Sequence, residues 1–99
     1  MSLHLDLQEG FAHDSVVVVV NAKEVYRKPD VSTNISASVA DTFEVNPSSE
    51  QAQIDVQILT RHTANSTTVN ATEFPYVGIS LDGEGKPVFK PSKQGFRYM

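Results

Sequence analysis

Leu3, Leu5 and Leu7 alternate with His4, Asp6 and Gln8 at the start of the chain. A period of two puts the leucines on one face and the polar residues on the other, which predicts a half-buried β-strand ending at Gly10. The run from Val16 to Val20 is followed, across Asn21-Ala22-Lys23, by Glu24-Val25-Tyr26-Arg27. Two β-rich runs around a short asparagine-led connection read as a hairpin. Lys28-Pro29-Asp30 closes it, since proline lacks a ladder donor and aspartate favours turns.

From Val31 the alternation resumes, with Thr33, Ile35, Ala37 and Val39 on one face and serines and Asn34 opposite, then Phe43 and Val45. This predicts two strands with a bend near Ala40-Asp41, because single strands are usually shorter. Asn46-Pro47-Ser48-Ser49-Glu50 is a turn, with room for one helical turn capped by serine. Ile54, Val56 and Ile58 form a clean half-exposed strand. The polar stretch 61–66 reads as a loop, and Thr67, Val69 and Ala71 as a weaker strand. Val77, Ile79 and Leu81 point inward, with Tyr76, Gly78 and Ser80 outward. Asp82-Gly83-Glu84-Gly85 turns that strand into Val88-Phe89-Lys90, and Phe96 and Tyr98 add a last short strand.

Seven to eight short strands in 99 residues predict one all-β domain spanning 1–99, a two-layer antiparallel β-sandwich. Its size suits an immunoglobulin-like or a transthyretin-like (prealbumin-like) arrangement equally. The Cys…Trp…Cys signature of antibody domains is absent, as the chain has no cysteine and no tryptophan. The expected core is Ile35, Val39, Phe43, Ile54, Val56, Ile58, Val77, Ile79 and Leu81. Composition agrees. Valine supplies 13 positions, isoleucine 4 and threonine 7, against 5 leucines. Branching at Cβ favours a pleated surface over a helix.

The net charge of −4 gives no electrostatic footprint for nucleic acid or anionic lipid. The charge is uneven, because all acids lie before Lys86 while Lys86, Lys90, Lys93 and Arg97 cluster at the end. A lysine-guarded edge strand explains this, and a basic ligand-binding strand is the alternative. The lack of cysteine and of a signal-like N-terminus points to a cytoplasmic setting, and no apolar run is long enough to span a bilayer.

Candidate chemistry is sparse. His4 and Asp6 share a strand face and His13-Asp14 follows, but two ligands do not make a metal site. Gly78-Ile79-Ser80-Leu81 resembles part of a nucleophile elbow but lacks its second glycine and its helix. Asp82-Gly83-Glu84-Gly85 lacks the regular ligand ladder of a calcium loop, and turn geometry accounts for its glycines. No catalytic, cofactor or metal residue is therefore expected, and the chain reads as a non-enzymatic module.

Two functional readings remain. The run of five valines is apolar on both faces, so one set forms core while the other needs cover. This gives an association face of Val17, Val19 and Tyr26, with a second copy of the chain or another protein as partner. The alternative is a small-ligand or carbohydrate face using Tyr76, Tyr98 and Lys90.

Overall fold

The computed structural model describes residues 1–98 and shows an all-β sandwich of two four-stranded sheets. The strands are β1 (Leu3–Leu7), β2 (Asp14–Val20), β3 (Lys23–Val31), β4 (Asp41–Val45), β5 (Gln51–Ile58), β6 (Thr63–Asn70), β7 (Tyr76–Leu81) and β8 (Pro87–Ser92). One sheet has the order β4-β1-β7-β8 and the other β3-β2-β5-β6. All neighbours are antiparallel except β1 and β7, which run parallel. The parallel contact follows from connectivity, because the chain changes sheet after β1, β3, β4 and β6.

The period-two pattern places the core between the sheets. Leu3, Leu5 and Leu7 from β1 and Val77, Ile79 and Leu81 from β7 face Val16, Val18 and Val20 from β2 and Ile54, Val56 and Ile58 from β5. Burying each such side chain contributes about 1.5–3 kcal/mol relative to exposure. The core set of the valine run is thus the even one. Phe43 packs half-buried against this cluster.

Asn21 and Ala22 both take positive φ, 50° and 67°, as a two-residue type I′ turn requires, and they close the β2–β3 hairpin. Strand β3 runs on through Pro29 to Val31 instead of ending at Lys28. Its register against β2 shifts twice. One shift leaves Pro29 and Asp30 unmatched opposite Ser15, and a proline is tolerated at such an irregularity on an edge strand.

Several expectations need correction. Ile35 is 94% exposed, not core, and Val39 is only half-buried. The alternation from Val31 to Val39 does not form a strand, because Asn34 captures the backbone. Its Oδ1 accepts the N–H groups of Ser36 and Ala37, and its main chain bridges to Val39 across a tight loop. Of the stretch 61–66 only Arg61 and His62 lie in a turn, since β6 begins at Thr63 and pairs along its length with β5. Residues 46–50 contain no helical turn, and Phe96 and Tyr98 lie outside any strand.

Candidate functional site

On the outside of the β3-β2-β5-β6 sheet, Val17 is flanked in register by Arg27 and Gln57, and Val19 by Glu24 and Asp55. Val17 is 3% exposed although it lies outside the core cluster, and Val19 is half-buried. Arg27 is tied to Glu24 by a 2.7 Å ion pair. The two valines are therefore separated from other apolar surface by polar and charged neighbours. Tyr26 is not with them. It pairs with Val18, packs half-buried on the core side and stacks on Phe43 at 4.5 Å. Its hydroxyl donates to Asp41, 2.8 Å away. Burial and then that carboxylate push its pKa well up.

The sheet edges differ in chemistry. Edge strand β3 carries Lys23, Glu24, Arg27, Lys28 and Pro29, and Lys28 reaches Asp41 on β4 at 2.7 Å. Strand β4, on the same side of the sandwich, has 5 residues with Asp41 and Glu44 among them. On the opposite side β8 holds Pro87, Lys90 and Pro91. Strand β6, above it, reads TANSTTVN, 8 residues without charge or proline. Its inward side chains tie it down: Thr63 Oγ1 donates to Gly85 O at 2.6 Å and Asn65 Nδ2 to Pro87 O at 2.9 Å. Charge, proline and shortness are the usual protections of an edge. Strand β6 has none of them.

The outside of the other sheet assembles polar and aromatic residues with a basic one. Registration aligns Glu44, His4, Tyr76 and Ser92 in one row, and Thr42, Asp6, Gly78 and Lys90 in the next. His4 and Tyr76 stack at 4.8 Å. The segment after β8 crosses this face. Tyr98 donates its hydroxyl to Asp6 Oδ2 at 2.5 Å and accepts from Gln8 Nε2 at 3.0 Å. Burial first, then the Asp6 carboxylate, push the Tyr98 phenol up to about 12. A Cβ on Gly78 would meet the Gln8 amide at 2.5 Å, so the missing side chain is what lets Gln8 lie across the sheet to reach Tyr98.

Tyr76, Tyr98 and Lys90 thus belong to one surface, divided by the crossing segment. One open groove of about 680 Å³ is bordered by Gln8, Ser80, Lys90, Phe96 and Tyr98. A second, of about 370 Å³, is bordered by His4, Asp6, Tyr76 and Phe96. Sequence reasoning missed Asp6 and Gln8 as partners of Tyr98, and no spacing signal links residues so far apart in the chain.

Asp14 does not join His4, Asp6 or His13 in any common site. It is 2% exposed and bound by Arg61. Burial alone would raise its pKa, but hydrogen bonds from Arg61, the Ala12 N–H and the Thr60 hydroxyl hold it below the ordinary aspartate value. Among the described residues no group of three or more His, Cys, Asp or Glu side chains could hold a metal ion. No helix there is long and apolar enough to cross a membrane. Compared with known proteins, the chain matches no family model, no curated protein and no solved structure.

Proposed function

We propose that this chain is a non-enzymatic β-sandwich module that works by associating with protein through a sheet edge. The observation that carries this reading is β6, an 8-residue uncharged edge strand held in place by side-chain bonds to the opposite sheet. An open edge offers a row of backbone donors and acceptors, and adding a strand to it is a general mode of protein recognition. The half-buried Val19 lies on the same sheet but two strands in from that edge, with Asp55 of β5 between, and adds no apolar contact to it. Sedimentation velocity on the wild-type chain, run from low to high micromolar concentration, tests the reading. An average mass that rises above 10.9 kDa supports association; an unchanging monomer mass counts against association between copies.

The strand grouping bears on the type of sandwich. In the immunoglobulin constant arrangement the first and second strands share a sheet. Here β1 and β2 lie in different sheets, which favours the transthyretin-like description of the two.

A second reading has its own support. Tyr76, Tyr98 and Lys90 do share one outer face, and open aromatic grooves of this kind suit a sugar or another small polar ligand. Chemical-shift changes at those residues on titration with simple sugars test it.

A further inference from the structure

We propose that the partner of β6 is the β6 strand of a second copy, paired antiparallel about a twofold axis at Ser66 to make one continuous eight-stranded sheet. This rests on the association reading above and specifies its occupant. The direction of the backbone groups can be read from two bonds. The Ala71 N–H donates to Glu50 O on the β5 side, whereas the Ser66 N–H donates to the side chain of its own neighbour, Asn65. Backbone groups alternate along a strand, so those of Ala64, Ser66 and Thr68 point away from β5 toward the open edge.

Charge selects the occupant. From His62 to Thr72 the chain carries no Asp, Glu, Lys or Arg, while its net charge of −4 resides elsewhere. A copy of β6 therefore meets β6 without like-charge repulsion. Edge strand β3 instead carries Lys23, Glu24, Arg27, Lys28 and Asp30 together with Pro29, so self-pairing there requires charges to be matched and loses a backbone donor at the proline. A strand identical to β6 also matches it in length and in the absence of proline. With the axis at Ser66, each serine faces its counterpart and Ala64 faces the second copy's Thr68. These three positions supply about six inter-strand hydrogen bonds. The Ser66 N–H exchanges its local bond to Asn65 for one of them. An edge contact buries less than a standard interface, so the dimer is weak and reversible.

The chain contains no cysteine, so a single introduced thiol reports on the register. In the proposed dimer the two Ser66 Cα atoms lie about 5.5 Å apart, within disulfide reach, whereas the two Thr68 Cα atoms are about 14 Å apart. Ser66→Cys, Thr68→Cys and Val19→Cys are each oxidised in a glutathione buffer and run on a non-reducing gel. The expected result is a cross-linked dimer for Ser66→Cys at least tenfold in excess of the other two. Equal cross-linking at all three positions, or preferential cross-linking at Thr68→Cys or Val19→Cys, overturns the proposal. If no variant cross-links while the wild-type mass still rises with concentration, β6 pairing is wrong and association proceeds through another surface. If no variant cross-links and the mass stays monomeric, both the pairing and association between copies fail.

Discussion

Arg61 grips Asp14 with two nitrogens, Nη2 2.8 Å from Oδ2 and Nε 2.9 Å from Oδ1, while Nη2 also donates to Gly10 O at 2.9 Å. The parallel fork suits a guanidinium and no other side chain. It joins the β1–β2 connection to the β5–β6 hairpin. The β7–β8 turn makes room for it, because a Cβ on Gly85 would sit 2.6 Å from Arg61 Cδ. Arg61→Ala leaves a buried carboxylate short of its partner. Breaking a fully buried pair costs about 3–5 kcal/mol. The loss expected here is smaller, about 2–4 kcal/mol, because Arg61 is 32% exposed and Asp14 keeps Thr60 and Ala12. Urea denaturation measures it, and Arg61→Lys recovers only part.

Acid should weaken the fold through two aspartates. Asp14 is lowered as described, and Asp41 is lowered because hydrogen bonds from Lys28, Tyr26 and the Thr42 N–H outweigh its burial. A carboxyl with a depressed folded-state pKa binds fewer protons folded than unfolded, so its contribution is complete above the ordinary value of about 4. It disappears as the pH falls through the lower folded values. Denaturation midpoints recorded between pH 6 and pH 2 should therefore drop steepest below about pH 4, and less steeply in Arg61→Ala.

Docking of the crossing segment depends on Tyr98. Tyr98→Phe removes the donor to Asp6, which is 8% exposed, and is expected to cost about 1–2 kcal/mol. In an alkaline absorbance titration the same variant should lose one phenol that ionises near the wild-type value of about 12. An unaltered late phase would show that Tyr98 does not rest on Asp6.

The β2–β3 turn stores strain at Ala22, whose φ of 67° is left-handed. A side chain there costs about 1–2 kcal/mol, while glycine adds somewhat less than that in unfolded-chain entropy. Ala22→Gly should stabilise the chain by about 0.5 kcal/mol, seen as a higher thermal midpoint.

The sandwich was legible because alternation in β1, β5 and β7 is strict, and a one-residue error would expose Leu5, Val56 or Ile79. The same pattern misled at Ile35, where one Asn34 side chain outcompeted strand pairing. It caught only the second half of β6, as the weaker strand at Thr67 and Val69, and missed the first half, whose inward Thr63 and Asn65 are polar because they bond to the backbone of Gly85 in the β7–β8 turn and of Pro87 in β8 and do not fill core. The hydrophobic code cannot show such a stretch. Tyr26 was assigned to the wrong face because the shift between Val18 and Val19 inserts an extra residue at Val25, and periodicity carries no mark of a bulge. Tyr76, Tyr98 and Lys90 were identified from residue type, but their joint surface depends on the crossing segment and on Gly78.

Amide hydrogen exchange, read residue by residue at low and at high protein concentration, tests edge association most directly and without substitution. The account predicts that the Ala64 and Thr68 amides, free at the β6 edge of the monomer, become slower to exchange as concentration rises, while amides along the β3 edge do not change. Rates at Ala64 and Thr68 that stay fast and equal at both concentrations would contradict it.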